Sequence, residues 1–167
     1  RGITMRFAVT CRSVRSTALV ALFSAAISSA GGADTIFFAD LFVPTFDDGS
    51  IRRMTTDGFD FQTVVPTGSG LRSLDFDPIA RKLYWVDVNN YAIRRSNLDG
   101  SNVEDLVTAG LTFPSAIAVD SAGGKFYWGD QVDEIIYRAN LDGTGVEPVT
   151  STPFHRGIAI DSVNAKV

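Results

Sequence analysis

A period of 43 residues governs this chain. Asp87 and Asp130 end the two boxes YWVD (84–87) and YWGD (127–130), NLDGS (97–101) and NLDGT (140–144) stand the same 43 apart, and so do LDFD (74–77) and IAVD (117–120). Laying 74–107 on 117–150 without gaps gives 13 identities in 34 positions, and both tryptophans of the chain fall on the same place in the box. Self-similarity at this spacing means that one supersecondary unit is written repeatedly, and a unit that cannot bury its faces alone must stack on its copies.

The period extends both ways with defects. Upstream, FFAD (37–40) takes the place of the box and IRRMTTDG (51–58) that of IRRSNLDG (93–100); the loop LFVPTFDDGS (41–50) is five residues longer than its counterparts. Downstream, IAIDSVNAKV (158–167) repeats IAVDSAGGKF (117–126). Within one unit the pattern is that of strands: SAIAVD, the aromatic KFYWGD, the β-rich EIIYRAN and the short VEPVT, separated by Asp-Gly and Gly-Gly turns. Four strands in 40 to 45 residues is the signature of a propeller blade, and the fold class expected is all-β, with about three four-stranded blades.

The boxes, the NLDG turns and the IAVD and IAID strands together resemble the YWTD (class B) repeats of the low-density lipoprotein receptor family. The resemblance covers residues 35–167 and implies a six-bladed β-propeller. Phe37, Phe38 and Ala39 depart from the consensus, so different packing is expected in the first blade. With about three blades of a ring of six, the sequence reads as an N-terminal piece of a longer protein, and the first copy, which lacks an IAVD strand before its box, is expected to receive its innermost strand from a segment beyond residue 167.

Ahead of the repeats, residues 1–33 read as an export leader with some upstream residues. Arg6, Arg12 and Arg15 follow Met5, then comes the apolar run ALVALFSAAI (18–27), then small residues to Ala33. The run is shorter than the roughly 20 apolar residues a bilayer crossing needs, and no membrane span is expected in 34–167. The domain boundary is therefore set at 33/34, and the location expected is secreted or extracytoplasmic. Of 15 basic residues, four (Arg1, Arg6, Arg12, Arg15) lie in the leader, leaving 11 against 19 acidic and a net charge of −8. Such a balance argues against nucleic acid or anionic lipid as partners. The one cysteine, Cys11, is also in the leader, so the repeats must hold together by their core alone.

The recurring aspartates Asp40, Asp87 and Asp130 invite a catalytic reading, but groups that recur once per blade should lie a blade apart. A structural role is expected instead: each carboxylate accepts hydrogen bonds from backbone at the end of the second strand. The aromatic partners, Phe37 and Phe38, Tyr84 and Trp85, Tyr127 and Trp128, are expected to fill the space between blades. Asp99-Gly100 and Asp142-Gly143 are hairpin turns rather than calcium loops, whose D-x-[DN]-x-[DN]-G pattern does not occur. His155 is the sole histidine. No catalytic group, metal ligand or cofactor is assigned.

Function must then come from loops. Those between the second and third strands (41–50, 88–92, 131–135) and those entering the innermost strand (66–72, 108–115, 151–157) share one face. They carry Phe46, Asp47, Asp48, Asn90, Tyr91, Phe113, Asp133, Glu134, Phe154, His155 and Arg156, a mixture of aromatic and polar groups suited to a protein interface. Two functions follow: a secreted, non-enzymatic module that binds an extracellular protein or other surface ligand, as the receptor-type resemblance implies; or a calcium-dependent propeller hydrolase of the lactonase kind, whose ligands would have to come largely from other blades.

Overall fold

The computed structural model describes residues 22–28, 35–40, 49–55, 62–66, 70–153 and 157–161. They form three four-stranded antiparallel sheets, each a meander. The first contains β1 (Leu22–Ser28), β2 (Thr35–Asp40), β3 (Ser50–Thr55) and β4 (Gln62–Pro66). The second contains β5 (Leu71–Asp77), β6 (Lys82–Asp87), β7 (Ala92–Asn97) and β8 (Glu104–Val107), and the third β9 (Pro114–Asp120), β10 (Lys125–Asp130), β11 (Ile135–Asn140) and β12 (Glu147–Ser151). The innermost strands β1, β5 and β9 lie side by side in that order, which is the arrangement of consecutive propeller blades.

Strand alternation explains the box. Successive side chains point to opposite faces of a sheet, so Leu83 and Trp85 face the first blade while Tyr84 and Val86 face the third. Trp85 joins Phe37, Ile51, Val65, Leu71 and Leu74 in the core between blades one and two. Trp128 joins Tyr84, Val86, Ile93, Val107 and Phe126 in the core between blades two and three. Tyr84, Trp85 and Trp128 are almost wholly buried, and each such aromatic brings a large apolar area into the interface. In blade one the substitution is absorbed locally: Phe37 stacks on Phe76 with centroids 6.4 Å apart.

The Asp-Gly turns behave as expected. Gly100 and Gly143 adopt φ of 82° and 86°, a region open to glycine at little cost, and each donates its N–H back to the carbonyl of Asn97 or Asn140. Each turn also rests on the blade before it. A Cβ on Gly100 would stand 2.0 Å from the Val64 carbonyl oxygen, and one on Gly143 2.4 Å from that of Leu106.

The innermost strand of blade one differs from the expectation that it would come from beyond residue 167. Residues 22–28 occupy that position, with Leu22 opposite Asp40, Ala25 opposite Phe38 and Ser28 opposite Thr35. The same register and the same irregularity occur where Leu71 faces Asp87 and Pro114 faces Asp130. The physical reason is compositional: an uncharged run of small and apolar residues, read above as the core of a leader, also suits a strand placed beside neighbouring blades.

Candidate functional site

The meander puts the β6–β7 and β10–β11 turns on one face with Gly70 before β5 and the loop entering β9. Backbone hydrogen bonds join each turn to the neighbouring loop: Val88 N–H donates to the Gly70 carbonyl (2.8 Å), Gln131 N–H to that of Phe113 (3.0 Å), and Thr152 N–H to that of Glu134 (2.8 Å).

The box aspartates fix this face from below. Asp130, fully buried, accepts from the backbone N–H groups of Thr112 (2.7 Å) and Phe113 (2.9 Å) in one loop and of Val132 (3.2 Å) and Asp133 (3.4 Å) in the other. Asp87 accepts from the Asn90 N–H (3.1 Å), the Asn90 side-chain amide (2.9 Å) and Arg94 Nη1 (3.1 Å). Gly70 lets the loop before β5 come close, since a Cβ there would fall 2.4 Å from Asp87 Oδ1. A buried carboxylate is tolerated when it is hydrogen-bonded in this way, and the donors here are loop groups together with Arg94 of β7. Asp130 thus accepts four backbone N–H groups, and Asp87 one backbone N–H and two side-chain donors; the Asp40 side chain lies outside the described residues.

Above this floor stand the predicted contact residues. Tyr91, 54% exposed, and Glu134 occupy equivalent turn positions, both with left-handed φ (47° and 55°). Asp133 is exposed and accepts from Thr112 Oγ1 (3.1 Å) and Tyr137 Oη (3.3 Å). Burial raises the Tyr137 hydroxyl above its ordinary value, and the facing Asp133 carboxylate raises it further. Asn90 has its amide committed to Asp87. Phe113 lies under the Arg72 guanidinium, 4.7 Å from ring centroid to Cζ, a cation–π contact between blades. Phe46, Asp47, Asp48, Phe154, His155 and Arg156 lie outside the described residues.

Three participants escaped the sequence reading. Arg72 and Arg94 do not recur one period later, where Ser115 and Tyr137 stand, so the repeat gives no signal for them; Val132, 63% exposed, stands where Asn89 stands one period earlier, and the repeat does not single it out either. Among the described residues, no three His, Cys, Asp or Glu side chains gather into a potential metal site, and no helix is long and apolar enough to cross a membrane.

The profile of the family described as Low-density lipoprotein receptor repeat class B matches residues 81–121, from the end of the β5–β6 turn through the whole of β9. The chain carries a low-density lipoprotein receptor class B repeat. Low-density lipoprotein receptor-related protein 4 of Homo sapiens is 41% identical over 75 residues, which are 43% of this chain and 4% of that protein. Low-density lipoprotein receptor-related protein 5 of Mus musculus is 38% identical over 73 residues, 42% of this chain and again 4% of the relative. The class B segment is thus a small share of the curated relatives' length. Among solved structures, a chain of the nidogen/laminin complex superimposes with a TM-score of 0.74 at 21% identity, covering 87% of this chain and 54% of that one. A gluconolactonase of Xanthomonas campestris gives 0.68 at 19% identity, covering 90% and 55%. Both likenesses are of fold, that of a β-propeller.

Proposed function

We propose that this chain is a non-enzymatic recognition module, located outside the cytoplasm, that binds an extracellular protein through the face built by the 88–91, 108–113 and 131–134 loops. One observation carries the reading: Asp130 accepts from the backbone of both neighbouring loops and Asp87 from Asn90 and from Arg94 of β7, leaving Tyr91, Val132, Asp133 and Glu134 exposed on a pre-ordered support. A surface already held in one conformation loses less entropy on binding. Exposed apolar groups amid charged ones are what a protein partner uses at an anchor point. The receptor-related proteins, about 40% identical over some 75 residues, and the likeness to a chain of the nidogen/laminin complex support a protein as the class of ligand. The five-residue insertion in LFVPTFDDGS (41–50), with Phe46, Asp47 and Asp48, is included in the proposal on sequence grounds alone, because insertions in a repeat array commonly mark its binding side.

The lactonase-like propeller provides the competing reading, and one experiment separates the two. The protein from its complete reading frame is immobilised, laminin is passed over it as a first probe followed by fractionated extracellular proteins, and gluconolactone hydrolysis is assayed with calcium. The recognition reading predicts a saturable protein ligand whose affinity falls about tenfold or more in the Tyr91→Ala/Val132→Ser variant, an effect of roughly 1 to 3 kcal/mol, with an unchanged melting temperature. Calcium-dependent lactone hydrolysis that survives the same double substitution would overturn it.

A further inference from the structure

The two turns of the loop face are held in different ways. In blade three the carboxylate beneath the turn takes four backbone N–H groups from two loops. In blade two, Asp87 takes one backbone N–H, that of Asn90, and draws its other donors from the Asn90 amide and from Arg94 Nη1 (3.1 Å). The turn above it depends on that hold. Tyr91 stands at φ 47°, a conformation that bulky side chains seldom adopt, and its N–H reaches the Val88 carbonyl only at 3.4 Å.

Arg94 has a second partner. Its Nε lies 2.7 Å from Oδ1 of Asp105, the residue opposite it on β8, in a contact of charges whose N–H is not aligned on the oxygen. Asp87 is fully buried, the Arg94 side chain partly so, and that of Asp105 half-exposed. One guanidinium therefore runs from the surface of the outer strand to a buried carboxylate. The set is peculiar to this copy. One period later Asp133, Glu134, Tyr137 and Pro148 replace Asn90, Tyr91, Arg94 and Asp105, and in blade one Arg52 faces the uncharged Thr63.

We infer that Arg94 is the positioning residue of the blade-two turn: braced by Asp105, it completes the hold of Asp87 on Asn90 and so keeps Tyr91 presented on the face. A buried carboxylate that loses one of few donors must find another or open. The short turn carrying Asn90 is the part free to move, because the Asp87 backbone is fixed in β6 between β5 and β7. The inference rests on the recognition reading only in taking Tyr91 as a contact residue. The order of the turn is measured with no partner present, so the two readings fail separately.

Hydrogen exchange of the full chain, read by mass spectrometry on peptides covering 88–92 and 131–135, tests it. Arg94→Gln should speed exchange in 88–92 about tenfold or more, the effect of losing a hydrogen bond between charged groups, while 131–135 keeps its original rate and reports that blade three is folded. Asp105→Asn should speed 88–92 by a smaller factor, about two- to fivefold for a half-exposed ion pair, and should add nothing once Arg94 is Gln. Arg94→Lys, which keeps the charge, should restore part of the protection. Arg94→Gln leaving 88–92 unchanged overturns the inference. So does an Asp105→Asn effect of equal size with and without Arg94, which would make the two residues independent props. If Arg94→Gln speeds both peptides alike, the Asp105→Asn protein decides alone: acceleration confined to 88–92 supports the inference, and none overturns it.

Discussion

At the scale of single residues, Tyr84 shows how one side chain secures the same interface twice. Its ring fills the core between blades two and three while its hydroxyl donates to Leu141. Burial raises its pKa above the ordinary tyrosine value, with the Arg95 hydrogen bond and charge opposing. The folded state thus holds the phenolic proton more tightly than the unfolded chain does. The stability this contributes is complete below the ordinary value of about 10 and is lost as pH rises from there toward the raised folded value. Tyr84→Phe should cost about 1 kcal/mol at neutral pH, the worth of one ordinary hydrogen bond. It should also flatten the fall in melting temperature between pH 9 and 11, measured by circular dichroism; Tyr137, raised in the same direction, leaves part of the slope. The burial of Tyr84 was legible in the repeat. Its acceptor was not, because a backbone carbonyl 57 residues away leaves no mark on residue identity.

At the scale of the element, the turn and the strand were read with unequal success. The Asp-Gly turns and the box strands follow directly from local chemistry: glycine where φ is positive, alternation where both faces are covered. The strand β1 did not, since an apolar run with small residues satisfies both an export leader and an innermost strand, and periodicity alone does not separate them. What the turn sequence conceals is how near the previous blade comes. Gly124 and Gly143 have similar left-handed φ (68° and 86°), but a Cβ on Gly124 meets nothing within 4 Å, whereas on Gly143 it strikes the Leu106 backbone. Gly124→Ala should therefore cost only the backbone penalty, about 1 kcal/mol. Gly143→Ala should cost about 3 kcal/mol or more, because the backbone of two blades must separate. Chemical denaturation of the two variants measures the difference, and equal costs would mean the turn does not rest on β8.

At the scale of the whole molecule, the repeat makes the fold legible and hides the site. The tryptophans, the box aspartates and the turn glycines, which recur at 43, all serve the architecture. What distinguishes the loop face does not recur, including Arg72 over Phe113, Tyr91 against Glu134, and Arg94 against Tyr137. Identity between copies therefore marks architecture, and recognition must be sought where the copies differ. A photo-crosslinking side chain placed at position 91 or 132, compared with one at Ser101 or Thr144 on the opposite face, tests this most directly in the protein from its complete reading frame. The account predicts a discrete extracellular protein captured from positions 91 and 132, competed away by unlabelled protein, and none from 101 or 144. Equal capture from both faces, or capture from the opposite face alone, would contradict it.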